Sequence, residues 1–429
     1  MVYGKPRMIG VNHMKVRHDG ISIFLRRKHF RNLWLGSVIS GLGSELGAAA
    51  VLWMVLDITH SPGAVGLISL CKGVPAAVVN PFAGVLGDRF SRPRLMVMGN
   101  VLLTLIYGGI AAASRLGVHW IWVSFVLLAC SSVVSPLTST GRSQLIFELL
   151  PAEERTAANF FDDVYLHITW LVGPAIAGFS VALLGYGPVL ILDAASFMIC
   201  AFFMSLIPSS LHTPGTPFSQ LSKNLLDGVK MLRDGRLLLQ LAGLTFFFNF
   251  FFGVYSVVLP LMAQSHFGGA KAYGFIWSAF AVGSFIGGIM FSRKSWKWAM
   301  GPSMATVIVL WGMLTLLLAL AHQYWMVLGI MLVNGLVYTP YEPLYKTIIQ
   351  QIVPLHMQAK VSSTIRPITG LGQPTGSWLS GLLATPIGTV GLTLTSGVAT
   401  VVVGCATYMT PRIRNYKNDS PDSSVSGSV

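Results

Sequence analysis

The run Met304-Ala-Thr-Val-Ile-Val-Leu-Trp-Gly-Met-Leu-Thr-Leu-Leu-Leu-Ala-Leu-Ala321 contains no charged side chain. As a helix rising about 1.5 Å per residue, it nearly covers the thickness of a hydrocarbon core. Val97–Ala113 and Ile121–Val134 read the same way. Around these runs the 429-residue chain is 53% hydrophobic and only 10% charged. Soluble domains are about 25% charged, so a water-exposed enzyme is excluded. Twelve spans are expected, near 33–56, 62–86, 95–114, 120–141, 159–184, 187–207, 237–264, 271–291, 299–320, 324–346, 361–384 and 389–409. The fold class is an all-α membrane protein.

The net charge of +14 could suggest nucleic acid, but its placement indicates topology. Lys and Arg gather at alternate span ends, as the positive-inside rule requires. With the basic N-terminal tail taken as cytoplasmic, Arg89, Arg92, Arg94, Lys223, Lys230, Arg233, Arg236, Arg293, Lys294, Lys297, Arg412 and Arg414 all fall on that side, and the outer loops keep only Arg115 and Lys271. Both termini are therefore expected in the cytoplasm, the first span acting as its own signal anchor. Cys71, Cys130, Cys200 and Cys405 stand singly in apolar segments, without metal-ligand spacing.

The longest polar break, Pro208–Arg236, includes an amphipathic stretch with Leu221, Leu225, Val229 and Leu232 on one face. It divides the chain into a cytoplasmic tail (1–32), a six-helix bundle (33–207), a linker (208–236), a second six-helix bundle (237–409) and a cytoplasmic tail (410–429). The halves are related: Leu145–Pro151, Gly173 and Gly178 recur at Ile348–Pro354, Gly376 and Gly381 with one offset. Duplicated halves point to a secondary transporter with a site near the midplane. No GxxxxGK[ST] phosphate loop is present to suggest an ATP-driven pump.

After the second span the chain reads Gly84-Val-Leu-Gly-Asp88-Arg89-Phe-Ser91-Arg92-Pro-Arg94. This resembles the signature loop of the major facilitator superfamily, with Ser91 in place of a usual Gly. The resemblance implies that Asp88 faces a helix N-terminus in the other half, where the helix dipole favours an anion. The second-half counterpart, Gly287 through Lys297, has Phe291 where the acid would be. Gly173-Pro174-Ala-Ile-Ala177-Gly178 is similar to the antiporter motif of exporter branches, with Ala177 replacing one Gly. Leu52–Ile68 and Asp193–Phe197 resemble stretches of the bacterial branch that holds macrolide efflux proteins and enterobactin exporters.

Ionisable groups at membrane depth are costly and are read first as functional. In the first span Gly36, Ser40, Gly43 and Gly47 form one stripe, and Glu45 lies roughly opposite it. Glu45, Asp193 and Glu342 are the candidate proton-coupling groups. Height arithmetic puts Lys72 level with Glu45 and makes an ion pair expected. Arg142, Asp162 and Asp163 read as inner-gate residues, with Glu342, Lys346 and Arg366 repeating the theme in the second half. Gly84, Asp88, Arg89, Arg92, Gly173, Pro174 and Gly178 complete the gate and motif set. An apolar, aromatic substrate cavity is expected, with Lys72, Asn249, Tyr255, Trp277, Asn334, Tyr338 and Gln373 as candidate lining. Such a cavity suits a bulky amphiphile better than a sugar.

The expected activity is export of amphiphilic small molecules, driven by proton antiport through alternating access, in a bacterial plasma membrane. The expected partners are the substrate, protons and the lipid bilayer, without nucleic acid, cofactor or metal, and the chain is expected to be a monomer. Two other activities compete: export of a siderophore or metallophore, and flipping of lysophospholipid.

Overall fold

The computed structural model describes residues 23–89, 91–208, 218–292 and 299–414, and every regular element among them is a helix. The first half is built from α1 (Lys28–Thr59), α2 (Pro62–Arg89), α3 (Arg92–Arg115), α4 (Ile121–Leu149), α5 (Ala152–Leu184) and α6 (Tyr186–Ser205). After the linker helix α7 (Phe218–Asp234), the second half comprises α8 (Arg236–Phe252), α9 (Tyr255–His266), α10 (Ala270–Ser292), α11 (Met300–Ala319), α12 (Tyr324–Tyr338), α13 (Tyr341–Ile352), α14 (Leu355–Gly370) and α15 (Gly372–Met409), with a final turn α16 (Pro411–Arg414).

These helices make twelve crossings in two halves. In the first half each of α1 to α6 is one crossing. In the second half α8 and α9 together form the seventh, α10 the eighth, α11 the ninth, and α12 with α13 the tenth. The α14–α15 run turns back at Gly388 (φ 70°) and supplies the last two. That backbone conformation favours glycine, as does the turn between α5 and α6 at Gly185 (φ 77°). Several helices outrun the expected spans at the end that carries residues 27 and 414, the proximal end. There α4 runs on to Leu149 and α5 starts at Ala152, whose first turn places Glu153 and Glu154 where the helix dipole favours acids.

Packing follows the distribution of small residues. Helix α1 lies mainly against α6 and α5, and α3 against α6 and α4. In the second half α11 packs on α15, and α10 on α12. The halves meet along two seams, α2 against α15 and α5 against α10. One hydrophobic core runs across both halves at the distal end, joining Leu52, Trp53 and Val189 to Val257, Ala270 and Leu392. A second, rich in aromatics, belongs to the second half and centres on Trp311, Tyr255 and Phe248.

Candidate functional site

The glycine stripe of α1 is a groove for α6. Added side chains at Gly43 and Gly47 would run into Ser196 and Asp193, and one at Gly36 would meet Met204. These glycines give Asp193 its place: the residue is fully buried, and its Oδ1 takes a 3.5 Å hydrogen bond from Ser196 Oγ. Its Oδ2 has no hydrogen-bond partner. The opposite face of α1 carries Glu45, whose side chain lies on Gly173 of α5, where a Cβ would sit 2.7 Å from its Cγ. The Gly-Pro motif of α5 therefore makes room for an acid.

Lys72 lies within electrostatic reach of both Glu45 and Asp193. The expected Glu45–Lys72 ion pair, however, does not form: no contact within 4 Å joins them among the described residues. Helix α1 leans on α5 and α6 rather than on α2. Tyr165 and Tyr273 are also within electrostatic reach of Glu45, so this acid faces α5 and the second half's α10.

A cavity of about 850 Å³ lies between the halves. Its first wall is one face of α2 from Ser69 to Pro81, with Thr140 of α4; its second is α14 and the start of α15, from Ala359 to Pro374. At its distal apex α2 and α15 are in contact, since a side chain at Gly73 would overlap Pro374. Further out Gly66 abuts Trp378 and Gly381. On the other seam a Cβ at Gly178 would lie 2.9 Å from Gly274 Cα, and one at Gly274 would lie 3.4 Å from Ala175 Cα. The second Gly of the motif and its backbone thus serve the contact between halves, which closes the molecule distally.

Of the expected lining residues, Lys72 and Gln373 are on the cavity wall. The others are elsewhere. Tyr255 is buried, its hydroxyl 2.8 Å from Thr315 Oγ1 and accepting from Asn334 Nδ2 at 3.3 Å. Asn334 is fully buried. Trp277 and Tyr338 pack with Phe252 and Phe280 in the aromatic core. Asn249 Nδ2 donates to the Thr369 carbonyl at 3.0 Å, bridging α8 and α14. The wall is consequently built of small residues, Gly, Ala and Pro alternating with Ser, Thr, Asn, Gln and two cations, instead of aromatic ones. Helical periodicity could not separate aromatic side chains that fill a core from those that line a pocket.

The proximal end of the first half is laced by ion pairs. Arg142 bonds Asp162 at 2.7 Å and lies 4.1 Å above the Tyr165 ring. Arg92 pairs with Glu148, both about nine-tenths buried. Arg27 pairs with Glu154 at 3.0 Å, and Trp34 Nε1 donates to the Phe161 carbonyl at 2.8 Å. Asp163 is exposed at the same end. In the second half Glu342 pairs with Lys346 at 2.7 Å in an exposed i,i+4 arrangement, away from Arg366, which reaches the cavity instead. The side chains of Gly84, Asp88 and Arg89 and the segment 293–298 lie outside the described residues. Sequence reasoning missed Glu148, whose partner is 56 residues away, and Lys360, which ties α14 to Asp227 of α7 at 2.7 Å. An acid or lysine at a helix end gives no signal of its distant partner.

Comparison with known proteins agrees with this architecture. The model of the family described as transmembrane secretion effector matches residues 22–426. The multidrug efflux pump Tap of Mycolicibacterium fortuitum is 22% identical over 391 residues, 88% of this chain and 94% of that protein. Macrolide efflux protein A of Streptococcus pyogenes is 21% identical over 392 residues, covering 90% and 96%. Among solved structures, a POT family transporter in complex with a thioalcohol-conjugated peptide superposes with a TM-score of 0.71 at 13% identity, over 90% of this chain and 96% of that one. The nucleoside transporter NupG gives 0.68 at 16% identity, over 88% and 99%. These structures share its fold.

Proposed function

We propose that this chain, which belongs to the transmembrane secretion effector family of the major facilitator superfamily, exports amphiphilic small molecules from a bacterial cell in exchange for protons. The family makes it a multi-pass membrane transporter, and its relatives named above are multidrug and macrolide efflux pumps. In this reading the proximal end is cytoplasmic, and the substrate enters the cavity there. The observation that carries it is the cavity itself: about 850 Å³ between the halves, with glycine-mediated contacts on both seams at its distal side. Rocking about those seams would open the distal side and close the proximal one.

Glu45 is the acid we assign to proton exchange. It sits on Gly173 of α5, within electrostatic reach of Lys72, so a turn of α5 or α2 changes its surroundings. Asp193 is the second such group, with one carboxyl oxygen unpartnered in the interior. In purified protein reconstituted into vesicles, a pH gradient should drive accumulation of a dansyl-labelled amphiphile. Glu45→Gln should stop gradient-driven transport while leaving substrate binding and exchange in place. Gradient-driven accumulation in Glu45→Gln vesicles equal to that of the unaltered protein would contradict the assignment.

A further inference from the structure

The cavity wall has an uneven charge. It presents Lys72 from the first half and Arg366 from the second, and no carboxylate lines it among the described residues. Neither cation takes part in an ion pair among the described residues. The acids nearest Lys72, Glu45 and Asp193, are not on the wall; Asp193 is wholly buried against Gly47. Arg366 is exposed, and no acid faces it from the described residues of α2 and α4 that line the cavity.

The two cations are also staggered. Lys72 is next to Gly73, which touches Pro374 at the apex, whereas Arg366 lies eight residues before Pro374 on the same wall. At 1.5 Å per residue that places Arg366 about 12 Å nearer the proximal end. An entering anion meets Arg366 first and Lys72 at the end of its path. Around them the wall offers hydroxyls and amides, Ser362, Ser363 and Asn80 toward the proximal end and Ser69 and Gln373 near the apex, which can donate to carboxylate or phosphate oxygens. A cleft lined by one sign of charge concentrates ligands of the other sign.

We infer that the cavity selects amphiphiles bearing an anionic group, received first by Arg366 of one half and then by Lys72 of the other. The inference rests on the exporter reading and narrows its substrate class. Because the two contacts come from different halves, a bound anion would also bias the closing of the proximal end.

The test uses the full chain in lipid nanodiscs and three fluorescent probes with one tail: 11-(dansylamino)undecanoate, its phosphate-monoester counterpart and its uncharged primary amide, each corrected for empty nanodiscs. The carboxylate or the phosphate should bind at least about tenfold more tightly than the amide, as expected when a charge-assisted hydrogen bond is gained. Whichever anion binds more tightly identifies the headgroup. Arg366→Gln and Lys72→Gln should each remove most of that preference without changing amide affinity, and Lys72→Arg should restore it. If Lys72→Gln fails to fold, the exposed Arg366→Gln decides alone. Equal affinity for all three probes would overturn the inference and leave the exporter reading standing. Variants that weaken anion and amide equally would also overturn it. No binding of any probe, with no gradient-driven efflux in vesicles, would overturn both.

Discussion

Helix α1 and the α8–α9 pair open the two halves, and their sequences place Glu45 and Asn249 at nearly matching positions. Yet α1 runs unbroken from Lys28 to Thr59, whereas α8 stops at Phe252 and α9 restarts at Tyr255. At that break α15 comes close: Ser377 Oγ donates to the Gly253 carbonyl at 2.9 Å, so a side chain replaces a lost helical bond. The tenth crossing is broken as well, between Tyr338 and Tyr341, and the eleventh at Leu371. The first half thus keeps uninterrupted helices and holds its acids, Glu45 and Asp193, in glycine notches. The second half has interrupted helices, neutral amides and a stacked aromatic core. In the proposed reading the titrating acids belong to the first half, while the second supplies a shaped partner whose charge at the cavity is Arg366 alone among the described residues.

The largest effect should come from the seam that joins the halves. Gly178→Leu would force a side chain into Gly274, overpacking by about 1–3 kcal/mol and holding the distal end apart. Efflux should fall to background, and spin labels across the distal ends should report longer distances. Gly108→Leu is the control, because nothing lies within 4 Å of a Cβ there. Loss of transport in both variants would remove the seam from the account.

Tyr255→Phe tests the second half. It removes the hydroxyl between Thr315 and Asn334 and should cost about 1–3 kcal/mol, the range for leaving a buried polar group unpaired. Thermal unfolding of the purified protein should show the loss, while the pH dependence of transport stays put. A displaced pH profile would break the division between halves.

Arg142→Gln removes a partly buried ion pair with Asp162 and the contact over Tyr165, and should cost about 1 kcal/mol in thermal stability. Lys346→Ala deletes the exposed partner of Glu342 and should cost less than about 0.5 kcal/mol. If these two were reversed in size, proximal stability would reside in the second half instead.

Much of this contrast is legible in the amino-acid sequence. The positions of Gly36, Gly43, Gly47 and Glu45 follow from helical periodicity alone, which separates a packing stripe from the face opposite it. The tenth crossing carries a signal of its break, Pro340 and Pro343 around Glu342, inside the expected span 324–346. The break at Gly253 is not legible, because Phe246–Leu259 carries no charge through the interruption. Nor is the mixed polar and apolar cavity wall. It is assembled from single Ser, Asn and Gln residues on helices that meet only in three dimensions, and the aromatic clusters that looked like a binding site fill the core. The missing Glu45–Lys72 pair has the same origin: sequence gives height along a helix, not its rotation or its neighbours.

The division of labour is tested most directly by counting protons released when substrate binds. In weakly buffered detergent solution with a pH-sensitive dye, saturating the protein with an exported substrate should release protons. Glu45→Gln should abolish that release, and Glu342→Gln, in the other half, should leave it unchanged. Release that survives Glu45→Gln and disappears in Glu342→Gln would contradict the account.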